Sequence, residues 1–155
     1  MGAAIAAVAI LVLFGVARGV VVPRLSAASA ATGPVERDGA RTLGDCPDSP
    51  NCVGSEASDP RRRVARLELA ADGAEGAIDA LARRIAAEPD ASIVRREADY
   101  LHATFRTRVM GYVDDVEFLA MPDGTVAVRS ASRLGRSDLG ANARRVERLR
   151  AAPSG

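Results

Sequence analysis

Apolar and polar positions change rhythm along the chain, and each rhythm predicts a different element. From Gly2 to Ala17, sixteen residues run without a charge: GAAIAAVAILVLFGVA. Arg18 interrupts, and Gly19–Val22 are apolar again. As one helix, Gly2–Val22 would be about 31 Å long, which matches a hydrocarbon core of about 30 Å. Arg18 would then lie close enough to the end to reach the headgroups. The expectation is a retained, single-pass membrane anchor over residues 1–22. Two readings compete with it. Ala28-Ser29-Ala30 has the small-x-small pattern of a signal cleavage site, which would release a secreted or periplasmic protein. The long apolar run and the lack of Lys or Arg ahead of it speak against cleavage. A helix buried in the protein is the third reading. Arg18 and Arg24 follow the span, which alone favours a cytoplasmic domain; the cysteines discussed below favour the opposite side.

No period survives in residues 23–63, which hold Pro23, Pro34, Pro47, Pro50 and Pro60 among Ser, Ala, Gly and Thr. This stretch reads as a flexible linker carrying a Cys46–Cys52 loop. Regular patterning begins at Val64. Val64–Leu69 alternates and predicts a strand. Asp72 and Glu75 form a capping-box pattern ahead of a helix whose apolar positions are Ala74, Ala77, Ile78, Leu81 and Ile85, and Pro89 stops it. Ser92–Arg95 is a short strand. Tyr100–Arg106 alternates strictly, with Leu101, Ala103 and Phe105 on one face and Tyr100, His102, Thr104 and Arg106 on the other. Val113–Ala120 follows, with Val116 and Phe118 inward. Pro122-Asp123-Gly124 is a turn signal, and Thr125–Ser132 returns with Val126 and Val128 inward. Ser137 or Asp138 can cap a last helix that docks Leu139, Val146 and Leu149 on the sheet. Strand, helix, four strands, helix predicts a two-layer, mainly antiparallel α+β domain over 64–150.

Composition narrows the function classes. The 155-residue chain has a formal net charge of +1 and 3% aromatics, with no Trp, which argues against nucleic-acid binding. Two Cys and one His cannot build a four-ligand zinc site, and no metal or cofactor is expected. Cys46-Pro47-Asp48-Ser49-Pro50-Asn51-Cys52 is short, and two prolines bend it so that the sulfurs can meet. A disulfide here would add about 2 to 2.5 kcal/mol by chain entropy and requires an oxidising, extracytoplasmic compartment. A redox-active pair, a metal-binding pair and two free thiols are the alternatives.

The strand faces also sort the polar residues. Asp115 and Glu117 point away from Val116 and Phe118. His102 and Arg106 occupy the outer face of their strand, and Arg129 that of the last one. If the strands are neighbours, one sheet face collects all five, either as a solvated face crossed by ion pairs or as a shallow polar site. Asp114 points inward and needs a partner, for which Arg133 and backbone N–H groups near Ser137 are candidates. A second group, Arg129 to Asn142, brings Ser130, Ser132, Arg133, Ser137, Asp138 and Asn142 to a helix N-terminus that favours an anion. Asp138 can itself be that anion.

Four segments carry a resemblance: Cys46–Val53, Tyr100–Ala103, Val113–Phe118, and Arg129–Asn142 with its run Arg-Ser-Ala-Ser-Arg-Leu-Gly-Arg-Ser-Asp-Leu-Gly-Ala-Asn. In this order they resemble the domain of unknown function 1499 family. The resemblance implies a small exported or membrane-attached domain and brings no activity with it. The chain departs from the family pattern at Gly54, Thr107, Arg136 and Ala143. The functional expectation is therefore a membrane-anchored, extracytoplasmic, non-catalytic module. It would bind a small anionic ligand or an acidic protein segment through Arg106, Arg129, Ser132, Arg133, Ser137, Asp138 and Asn142, with His102, Asp115 and Glu117 behind them. The alternative is a hydrolase-type or metal-assisted enzyme using Asp115, Glu117 and His102.

Overall fold

Val113–Ala120 supplies the middle strand of the sheet, and it is buried at every position except the last. A strand buried on both faces needs a cover on each side, and the rest of the chain provides two different ones. The computed structural model describes Gly2–Val21, Ala31, and residues 33–107 and 109–151. Within them, β1 (Val35–Arg37) and β2 (Ala40–Thr42) form a hairpin, and β3 (Cys52–Gly54), β4 (Ala91–Arg96), β5 (Tyr100–Arg106), β6 (Val113–Ala120) and β7 (Val126–Ser132) form one antiparallel sheet in the order β3-β7-β6-β5-β4. Helices α1 (Gly2–Val16), α2 (Gly73–Ala86) and α3 (Ala141–Ala151) complete the regular elements, with a 3-10 turn at Pro60–Arg62. The architecture is α+β with antiparallel sheets, as the pattern predicts.

The helix-covered face is the apolar core. Ile78, Leu81 and Ile85 of α2 and Val146 and Leu149 of α3 close over Leu101, Phe105, Val116, Phe118, Val126 and Val128. The turn between β6 and β7 forms for the predicted reason: Gly124 takes φ 82°, and the Asp123 carboxylate accepts from Thr125 N at 2.9 Å. At the outer edge, β4 slips register against β5 between Ile93 and Arg95.

Four expectations need correction. Val64–Leu69 is not a strand; it touches the sheet at two isolated points, Val64 N donating to the Gly54 carbonyl at 3.3 Å and Leu67 exchanging two 2.9 Å hydrogen bonds with Val126. The strand that does pair with β7 is β3, from the stretch read as linker, where three residues are too few to show a period. That same stretch holds the β1–β2 hairpin. Asp72 sits at the N-cap of α2 without a side-chain cap bond. Leu139 does not dock on the sheet. It lies before α3 in left-handed backbone (φ 52°) and is 85% exposed.

The apolar N-terminus also differs from the single helix expected over Gly2–Val22. The α-helix ends at Val16, about 22 Å long at 1.5 Å per residue, and Ala17–Val21 wind as a π-helix. Among the described residues no helix is long and apolar enough to cross a membrane. Arg18, expected at the headgroups, donates from Nη1 to the Val109 carbonyl at 2.9 Å. Val22, Arg24 and the Ala28-Ser29-Ala30 pattern lie outside the described residues.

Candidate functional site

The second cover of the sheet is built from the segment between Gly33 and Asn51. Leu43, just after β2, packs with Tyr100, Leu119 and Ala127 on the face away from the helices. Arg41 ties the hairpin to Asp99 and, at 2.6 Å, to Glu97 at the β4–β5 turn. The Cys46–Cys52 disulfide closes the following loop, with Cα atoms 5.7 Å apart. Cys52 pairs with Ala131, which sets that loop along the open flank of β7. Asn51 then donates to the carbonyls of Gly135 (2.7 Å) and Ser132 (3.3 Å).

Beneath this cover, two rows of polar side chains run across β5, β6 and β7. In the first, Glu117 is 2% exposed and accepts from Tyr100 Oη at 2.8 Å and from Arg129 Nη1 at 2.9 Å. In the second, Asp115 is 3% exposed; His102 Nε2 lies 2.7 Å from its Oδ1, and Arg133 donates Nε and Nη2 at 2.8 and 2.7 Å. Ala31 N adds a 3.3 Å bond to Asp115 Oδ2. The strand register explains the rows. Glu117 stands directly opposite Arg129, while Tyr100 and Arg133 reach their carboxylates from diagonal positions. Burial pushes the Asp115 carboxyl up, but the hydrogen bonds from His102 and Arg133 outweigh it and hold it below the usual carboxylate range. Burial, and next the charge of Glu117, push the Tyr100 hydroxyl far up, so it remains a proton donor.

A cavity of about 340 Å³ opens between these rows and the disulfide loop. Arg129, Arg133, Asp115 and Glu117 form its floor; Asp45, Ser49, Asn51, Ser132 and backbone at Gly33, Gly44 and Gly135 form its walls. Its volume is in the range of small-ligand sites. Arg129 also donates Nε to the Asp45 carbonyl at 3.3 Å, while its Nη2 makes no hydrogen bond with any described residue. The Asp45 carboxylate is turned to the loop, where the Ser58 hydroxyl, and after it the N–H groups of Ser58 and Cys46, hold it below its usual range.

Of the ten residues singled out from sequence, Arg129, Ser132, Arg133, Asp115 and Glu117 line this cavity, and His102 lies behind Asp115. Four do not reach it. Arg106 donates to the Gly111 carbonyl at the end of β5. Ser137 accepts from Leu139 N. Asp138 is itself the anion at the α3 N-terminus, accepting from Asn142 N at 2.8 Å and Gly140 N at 3.0 Å. Asn142 is fully buried and bonds Ser130, Ser132 and the Asn51 carbonyl, so it holds α3, β7 and the loop together. The partner of Asp114 is neither Arg133 nor the backbone near Ser137. It is Arg145, whose Nη2 lies 2.6 Å away and whose guanidinium stacks 4.6 Å over the Phe105 ring. The periodic stripe Asn142, Arg145, Val146, Leu149 was the available signal, since it places a guanidinium on the buried side of α3.

The wall residues Asp45, Ser49 and Asn51 and the row partner Tyr100 were missed; the Cys46–Cys52 spacing gave no hint that its loop faces the polar strands. Chemically the rows are saturated. Both oxygens of Asp115 and of Glu117 are engaged, and among the described residues no group of three His, Cys, Asp or Glu is placed to hold a metal ion. What remains available at the floor is a held guanidinium.

A family model described as a protein of unknown function (DUF1499) matches residues 42–152. No curated protein and no solved structure matches the chain. The match takes in the whole five-stranded sheet, the disulfide loop, both covering helices and nearly all of the cavity lining, and on that extent the chain belongs to the DUF1499 family of proteins of unknown function.

Proposed function

We propose that the chain is a non-catalytic binding module whose cavity takes a small anion of the carboxylate or phosphate type, free or presented on an acidic protein segment. The observation that carries this reading is the Arg129 guanidinium. Glu117 fixes its plane, and its Nη2 remains available at the cavity floor. Charge-assisted N–H donors on a preset plane favour flat or tetrahedral oxyanions. Arg133, among the expected binding residues, is turned by two bonds onto Asp115 and supports the floor. The hydrolase-type alternative draws less support, because Asp115 and Glu117 are tied to arginines and His102 to Asp115.

The same reading places the module at a membrane, outside the cytoplasm. The disulfide fits an oxidising compartment. Residues 2–17 carry no charge, and the large side chains of α1 are exposed all round, a pattern that in general means burial in protein or lipid.

Thermal melting of the full chain with phosphate, citrate and a glutamate-rich peptide tests the cavity. At least one probe should raise the melting temperature saturably, and Arg129→Lys should weaken it by about 1.5 to 3 kcal/mol, the scale of a hydrogen bond to a charged group. No shift with any probe, or equal shifts in wild type and Arg129→Lys, rejects the reading.

A further inference from the structure

The two ends of the sheet differ in a way that the cavity does not use. At one end lie the β4–β5 and β6–β7 turns, joined by the hydrogen bond from Ala120 N to the Asp99 carbonyl. Here Glu97, Asp99 and Asp123 are each paired with a guanidinium, from Arg41, Arg95 and Arg66, so their charges are balanced, and the nearby first turn of α2 adds Glu75. At the other end lie the β5–β6 loop and the segment from β7 to α3, joined by the bond from Arg133 N to the Val113 carbonyl. Among the described residues this end carries Arg106, Arg136 and Arg144 against one acid, Asp138, while Arg133 is held on Asp115 inside the cavity.

This basic end also exposes apolar side chains. Val109 is 68% exposed and Leu139 is 85% exposed, and Tyr112 is partly exposed beside the first loop. Leu139 is held in left-handed backbone, which costs a non-glycine residue free energy. Ser137 Oγ accepts its N–H, and Arg144 Nη1 donates to its carbonyl at 2.9 Å. So the loop is built to present a leucine to solvent with a guanidinium beside it. The end of the apolar N-terminal segment reaches the same place, because Arg18 bonds the Val109 carbonyl.

We infer that this end of the domain docks on an anionic lipid surface, with Val109 and Leu139 entering the interface and the arginines facing lipid phosphates. Apolar tips ringed by basic side chains suit that boundary, where arginines near an anionic surface are attracted to its phosphates. The inference rests on the membrane-attached reading above and adds an orientation: the basic end faces the lipid and the end with the charge-balanced turns faces away.

The chain contains no Trp, so single tryptophans report position directly. Four full-length variants are mixed with phosphatidylcholine–phosphatidylglycerol vesicles carrying brominated lipid: Leu139→Trp, Val109→Trp, Val8→Trp in α1, and Glu75→Trp at the opposite end. The expected result is a blue shift and strong quenching at positions 8, 109 and 139, with neither at 75. Quenching at 8 without quenching at 109 and 139 overturns the docking and leaves the anchor standing. Quenching at 109 and 139 without quenching at 8 supports docking and rejects the anchor. No quenching anywhere rejects both. Equal quenching at 75 and 139 rejects the orientation, and equal quenching in pure phosphatidylcholine rejects the role of the arginines.

Discussion

Along β6, neighbouring residues enter two different kinds of interior. Val116 and Phe118 are sealed under α2 and α3 by aliphatic side chains, while Asp115 and Glu117 are sealed to nearly the same degree under the hairpin and the disulfide loop by Arg129, Arg133, Tyr100 and His102. The helix side is held by area removed from water, which is non-directional and tolerant of small shifts. The loop side is held only while each carboxylate oxygen keeps its donors, because a buried charge without them is costly. Equal burial therefore conceals unequal chemistry, and the two sides should respond differently to substitution and to pH.

The largest effect is expected on the helix side. Phe118→Ala should lower stability by about 3 to 5 kcal/mol, the usual cost of emptying a buried aromatic site. Urea unfolding at several pH values should show the whole curve displaced by a similar amount. On the loop side, Asp115→Asn should cost about 2 to 3 kcal/mol, below the full penalty for breaking a buried pair because Arg133 borders a cavity that water can enter. Its signature lies in acid. The Asp115 carboxyl is depressed in the folded protein, so its contribution is complete above the unfolded value near about 3.9 and is lost as pH falls through the lower folded value. The variant should lose less stability than wild type over that interval. If both variants change the acid limb equally, the contrast between the two sides fails.

Two smaller effects test the covers themselves. Opening the disulfide by Cys46→Ser with Cys52→Ser should cost about 2 kcal/mol. It should also weaken anion binding in the melting assay, because the loop is a wall of the cavity. Asp138→Ala should cost about 1 kcal/mol, as for other helix caps, and leave anion binding unchanged because Asp138 does not line the cavity. A loss of binding equal to that of Arg129→Lys would return the α3 N-terminus to the list of sites.

Periodicity made the helix side legible. The stripes in α2 and α3 and the alternation in β5, β6 and β7 determine which residues meet, and the inward Asp114 stood out because it broke its row. Half of the loop side was legible too, since alternation put Asp115, Glu117, His102 and Arg129 on a shared face. Its cover was not. Leu43, Asp45 and Asn51 belong to a segment shaped by turns, prolines and a disulfide, and such segments show no period. Whether a polar strand face is wet or closed depends on that segment. Leu139 misled for a related reason: its spacing suits the helix, but Asp138 caps the first turn and leaves it outside.

The register slip in β4 has a consequence for the protein in bulk solution. An outer strand with evenly spaced donors and acceptors is a template for another chain, and Ile93 and Val94 would make an adhesive one. The offset between Ile93 and Arg95 breaks that spacing, and Arg95 and Arg96 are bound on either side to Glu97 and Asp79. An incoming strand would have to match an irregular ladder and displace two guanidinium groups. Concentrated preparations should therefore remain free of fibrous aggregate by light scattering, and a change that straightens β4 should remove that protection while barely altering the fold.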